Sequence, residues 1–145
     1  MRELPRQLTA EQLAELFEGH TRLVDQLAAL DDPLGRAREV AGALPENDKK
    51  AVLDAHPAIG AKARSAKAQS EQGTDDDPRV LSDLAELNRA YEEKFGFRFV
   101  VFVNRRPRRE IVPILRERLE RSREQELATG VDELVQIAVD RWRSS

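Results

Sequence analysis

The sequence predicts an all-α protein: a compact single-domain helical bundle over residues 1–145, with one short buried extended segment at about 97–103. Three observations carry this. Apolar residues recur at three- and four-residue spacing along most of the chain. Helix-start signals repeat: Thr9 with Gln12, then Asp32-Pro33, then Asp77-Pro78. Only Phe97 to Val103 has strand character, and it is too short to make a sheet by itself.

The elements follow in order. Thr9 and Gln12 form a capping box that opens a helix to about Glu18, with Leu13, Leu16 and Phe17 on its apolar face. Gly19 interrupts, and a second helix carries Leu23, Val24, Leu27 and Leu30. Asp32 is an N-cap, with Pro33 at the first position of a third helix reaching Ala43. Pro45 begins a fourth, with Val52 and Leu53 facing inward. That helix ends at or just before His56, because the residue preceding Pro57 is pushed out of the α region. The Ala- and Lys-rich stretch from Gly60 to Gln72 fits a short helix, and Gly73 to Asp77 an exposed acidic turn.

A long helix starts at Asp77-Pro78, lines up Val80, Leu84, Leu87, Tyr91 and Phe95, and stops at Gly96. Phe97 to Val103 is apolar on both faces except at Arg98, so it belongs inside, threaded between helices. A basic turn, Asn104 to Arg109, leads to a helix with Ile111, Ile114, Leu115 and Leu119, and Pro113 must sit in its first turn or kink it. The last helix, about Arg123 to Trp142, puts Leu127, Val131, Leu134, Ala138 and Arg141 on one face. Arg141 then lies on the inward stripe, where a lone cation is costly. It is either a snorkelling arginine at the helix end or one that faces a ligand.

Composition narrows the function. With no cysteine there is no disulfide, no thiolate nucleophile and no cysteine-based zinc site. A net charge of −3 with 35% charged residues describes a mixed surface, not a polyanion binder. No run of about 18 apolar residues could span a membrane. The start Met-Arg-Glu-Leu-Pro lacks an apolar signal core, and a cytoplasmic protein without membrane partners is expected. His20 and His56 show no ligand spacing, so no metal is expected.

Three stretches can carry chemistry. His56 offers an imidazole at a chain break, either as a proton-transfer group or as a cap on helix carbonyls. Glu71-Gln72 sets a carboxylate beside an amide, although such pairs are usually solvated helix surface. The backbone of Phe99 to Val103 needs partners for its N–H and C=O groups; without a sheet these could meet a polar, amide-rich ligand.

Taken together, these stretches resemble the 2-oxo-4-hydroxy-4-carboxy-5-ureidoimidazoline (OHCU) decarboxylases of the urate-to-allantoin pathway. The likeness rests on Leu16-Phe17-Glu18, Ala55-His56-Pro57-Ala58-Ile59-Gly60, Glu71-Gln72, Tyr91 to Phe99, Glu126-Leu127 and Ile137-Ala138 with Arg141, in that order over nearly the full chain. It implies a cofactor-independent homodimer of all-α fold. The implied reaction releases carbon dioxide, leaves a carbanion delocalised as an enolate, and protonates it on one face to give (S)-allantoin. By this resemblance His56 is the proton donor and Glu71 orients His56 or the substrate. Gln72 would bond the ring or ureide. Pro57 and the backbone of Phe99, Val100, Val101, Phe102 and Val103 would frame the ring. Arg141 would meet the leaving carboxylate. Ala68 stands at a substrate-binding position where the family has serine, with Ser70 close by in the motif.

Two rival readings stay open. One is a family member that kept the fold and changed its chemistry, with Ala68 as the sign. The other is a binding module using Arg105, Arg106, Arg108, Arg109, Arg116, Arg118, Arg121 and Arg123 on nucleic acid or an acidic protein. Glu110, Glu117, Glu120 and Glu124 interleave with those arginines, a pattern of surface ion pairing that argues against nucleic acid.

Overall fold

The computed structural model describes residues 3–59 and 77–144. Among them are seven helices and no strand: α1 Ala10–Phe17, α2 Arg22–Ala28, α3 Pro33–Gly42, α4 Glu46–Asp54, α5 Pro78–Phe95, α6 Arg108–Leu119 and α7 Arg123–Ser144. The all-α expectation holds. The helix expected within 60–72 and the turn at 73–76 lie outside the described residues.

Local chemistry explains most of the boundaries. The Thr9 hydroxyl accepts from Gln12 N, and Thr9 N donates to the Gln12 side chain, closing the capping box. Glu18, rather than Gly19, takes the left-handed position that ends α1, at φ 62°. Asp77 Oδ1 accepts from Arg79 N at 2.9 Å and caps α5. Gly96, at φ 81°, ends it. Asp32 departs from expectation. It sits just before Pro33, yet at φ 52° its side chain caps nothing, and its own N–H donates to Arg6 O at 2.7 Å. Here proline at the first helical position, with its fixed φ, sets the start. Pro113 is the sixth residue of α6, beyond the first turn. It faces solvent, where water can take up the carbonyl that proline leaves without a donor.

The longest helix, α7, organises the core. It packs against α1, α3 and α4, while α5 pairs with α6. Leu127, Val131, Leu134, Ala138 and Arg141 are all buried on it, as the spacing requires. α4 approaches closely at Gly130: a Cβ added there would lie 3.0 Å from Leu53 Cδ2. On α5, Leu84, Tyr91 and Phe95 are buried, with Val80 and Leu87 half-covered. Tyr91 sits within 4.6 Å of the Phe95 ring, 5.2 Å of Phe99 and 6.0 Å of Phe97, centroid to centroid. This aromatic cluster anchors the 97–103 segment, which passes between helices without sheet pairing.

Several arginines of the basic region are engaged within the fold. Arg118 is buried, 2.7 Å from Glu126. Arg106 donates to the carbonyls of Phe102 and Val103. Arg123 binds Phe95 O and pairs with Glu46. No described helix is long and apolar enough to cross a membrane.

The α4–α7 contact gives a direct test. Gly130→Val forces a branched side chain against Leu53 and should cost about 1–3 kcal/mol in thermal unfolding. Gly42→Ala, with nothing within 4 Å of the added Cβ, should instead be neutral or stabilise, by up to about 1 kcal/mol.

Candidate active site

His56 follows the C-terminal cap of α4, with its backbone N–H on Leu53 O at 3.2 Å. Pro57 forces the turn, and the imidazole points inward: His56 is 4% exposed. Its Nε2 is buried without a hydrogen-bond partner, so the ring does not cap helix carbonyls through that atom. On α5, Asn88 donates from Nδ2 to Ile59 O at 3.1 Å and ties down the far end of the same turn.

Two guanidinium groups act on the ring. Arg98 is the polar exception in the apolar segment. Its NH1 donates to His56 O at 2.6 Å and to Asp54 O at 3.3 Å, and its Nε pairs with Glu92 at 3.2 Å. Arg141 reaches in from α7, buried as the stripe predicted. Its NH1 donates to Glu15 O and Leu16 O at the end of α1, and its NH2 lies 3.1 Å from the Glu18 carboxylate. Glu18 is thus the counter-charge that a buried arginine requires. Burial first, then the charges of Arg141 and Arg98, pull the His56 pKa down from 6.5 to about 3. The resting imidazole is neutral at physiological pH.

The 97–103 segment runs on from Arg98. Arg98 N donates to Asp54 Oδ1 at 2.9 Å, and Val100 O accepts from Arg118 at 2.8 Å. Phe102 N lies 3.4 Å from Glu133 Oε1, and Phe102 O accepts from Arg106 at 2.6 Å. Burial raises the Glu133 pKa. Among the described residues, Phe99 N and O, Val101 N and O, Val103 N and Val100 N have no hydrogen-bond partner. The alternation is that of an extended chain, whose successive residues point their polar groups to opposite edges. The even-numbered edge is largely satisfied by side chains, whereas on the odd-numbered edge of 99–103 only Val103 O is paired, with Arg106. Yet Phe99, Val100, Val101 and Val103 are all buried. Unpaired main-chain groups in a buried segment call for a polar guest.

Arg98, next to the 99–103 stretch, ties to the His56 carbonyl, and the Arg141 charge reaches the His56 ring. Ala68, Glu71 and Gln72 lie outside the described residues. A separate cleft of about 620 Å³, lined by Leu34, Phe102, Val135, Val139 and Arg143 among others, opens between α3 and α7 and does not include His56. No group of His, Asp or Glu among the described residues is arranged to hold a metal ion. Sequence reasoning overlooked Arg98 and Glu18 as site residues. Their signals were present: a single cation in an apolar run, and a buried Arg141 that needed an anion.

The sequence model of the OHCU decarboxylase family matches residues 3–143. The chain belongs to the OHCU decarboxylase family. A mouse protein, 2-oxo-4-hydroxy-4-carboxy-5-ureidoimidazoline decarboxylase, is 32% identical over 107 residues, covering 66% of this chain and 59% of its own length. A uric acid degradation bifunctional protein of Bacillus sp. (strain TB-90) is 27% identical over 108 residues, covering 71% of this chain and 22% of its own. The chain therefore spans less than two thirds of these relatives. A crystal structure of OHCU decarboxylase in the presence of (S)-allantoin superposes with a TM-score of 0.76 at 24% identity, covering 90% of this chain and 94% of that one. A structure of (S)-allantoin synthase gives 0.68 at 20% identity, covering 93% and 48%. The family's helical fold is shared.

The state of His56 predicts an acid limb in stability. An unfolded histidine takes up a proton below pH 6.5, whereas His56 in the fold does so only near pH 3. Unfolding therefore binds a proton across this window, and stability falls as pH drops through it. Above pH 6.5 the contribution is constant. Urea unfolding at pH 7 and pH 5 should show the wild type losing roughly 1 kcal/mol per pH unit more than His56→Gln.

Proposed function

We propose that this chain catalyses the cofactor-independent decarboxylation of OHCU to (S)-allantoin in urate breakdown, as a cytoplasmic homodimer. The observation that carries the reading is the buried imidazole of His56, its Nε2 unpartnered, in the field of two arginines. The names of the mouse and Bacillus relatives supply the substrate class.

The chemistry follows from charge. The substrate brings a carboxylate, and Arg141 with Arg98 makes its end of the site positive. The ring and ureide offer alternating N–H and C=O groups, which the odd-numbered edge of 99–103 complements. When the carbon–carbon bond breaks, carbon dioxide leaves and the electron pair stays in the ring as an enolate. Main-chain donors held in place before the reaction stabilise that charge without reorganising. One proton is then added to the ring carbon from one face, so each turnover consumes one proton.

His56 is the donor, although it is neutral at rest. A carboxylate beside Arg141 and Arg98 offsets the field that depresses the imidazole. Substrate binding therefore favours protonation of His56, against the larger effect of burial. Glu71 orients the imidazole or the substrate's polar groups, and Gln72 bonds the ring or ureide. Ala68 leaves Ser70 to supply any hydroxyl that the family's serine provides.

Circular dichroism tests the proposal. Urate is treated with urate oxidase and the following hydrolase, and this protein is added. Rapid appearance of the (S) enantiomer is expected, with His56→Ala reducing the rate by about 10²–10⁴-fold. A slow racemic product, unaltered by the protein, would sink the reading.

A further inference from the structure

One buried charge cluster has no part in the proton chemistry. Glu126, at the start of α7, is fully buried. Its Oε1 accepts from Tyr91 OH at 2.7 Å and from Arg118 Nε at 2.7 Å. Arg121 NH1 stands 3.1 Å from Oε2 and also donates to Thr129 Oγ1 at 3.1 Å. Burial and the bond to Glu126 drive the Tyr91 pKa upward, so the hydroxyl keeps its proton and donates. Arg118 then points its NH1 at Val100 O, 2.8 Å away, and lays its guanidinium over the Phe99 ring, 4.5 Å from the centroid.

This geometry does one specific thing. It holds the even-numbered edge of the extended segment by a charge-assisted bond at its middle residue, and it fixes the Phe99 ring beside it. The odd-numbered edge cannot turn toward Arg118 while Val100 O is held. We propose that Arg118, held by Glu126 and Tyr91, is a positioning residue that keeps the Phe99 and Val101 main-chain groups and the Val103 N–H presented to the substrate's ring and ureide. The inference rests on the function proposed above and goes beyond it: Arg118 touches no reacting atom and sets affinity through the backbone.

Arginine is required for its shape. One fork reaches Glu126 through Nε and Val100 O through NH1. Lysine keeps the charge for Glu126 but has a single point of contact. Arg118→Lys should therefore raise KM, and the Kd for (S)-allantoin, by about tenfold, with a smaller fall in kcat because the same donors also stabilise the enolate. Tyr91→Phe deletes only the hydroxyl that orients Glu126 and should move KM in the same direction by less. Leu115→Ala, a fully buried core position on the same helix as Arg118, should lower Tm without moving KM.

The outcomes separate cleanly. An unchanged KM and Kd in Arg118→Lys overturns the brace. So does a rise in Leu115→Ala equal to that in Arg118→Lys, which would make the effect one of general stability. If Arg118→Lys does not fold, Tyr91→Phe decides: an unmoved KM overturns the proposal and a raised one supports it. A wild-type protein that neither turns over OHCU nor binds (S)-allantoin overturns both this inference and the function beneath it. An active wild type with unmoved variants overturns the brace alone.

Discussion

A peptide segment that is buried but neither helical nor sheet-paired must find partners for its polar groups, and the rest of this molecule is arranged around that requirement. Phe97 to Val103 enters the core because its side chains are apolar, and the Tyr91 cluster holds it there. Asp54, Arg118, Glu133 and Arg106 then meet its backbone from one side. Those four residues come from α4, α6, α7 and the turn before α6. The segment is thus the place where several elements of the bundle meet.

The second arrangement is a balance of charge around one ring. Burial alone disfavours an imidazolium, and two nearby guanidiniums disfavour it further. Each guanidinium has its own counter-charge: Glu92 for Arg98 and Glu18 for Arg141. Neither cation is left unpaired, which a buried site could not tolerate. The imidazole is therefore held neutral by its surroundings.

Much of this was legible in the sequence, for reasons that are local. Capping chemistry at Thr9 and Asp77, the stop at Gly96 and the stripe on α7 depend on residues within a turn or two of each other. Asp32 shows the limit, since its position was readable but its conformation depends on Arg6, far away in the chain. Arg118 shows a deeper one. It lies among alternating arginines and glutamates that look like a solvated helix face, and nothing nearby marks it as buried. Its partners, Glu126, Val100 and Phe99, come from two other parts of the fold. The inward Arg141 was expected, and the need for an anion beside it was argued, but periodicity could not name Glu18. The lowered pKa of His56 likewise comes from tertiary neighbours that no spacing rule reveals.

One helix carries both ends of this apparatus. Glu126, which holds the brace, and Arg141, which sets the field at His56, stand on α7 about four turns and roughly 22 Å apart. At 3.6 residues per turn they fall within about 60° of the same side. α7 therefore serves as a ruler. Inserting or deleting a single residue between them would swing one end away by about 100° while leaving the other seated. The solvent-facing positions of that stretch can change in composition, but its length cannot.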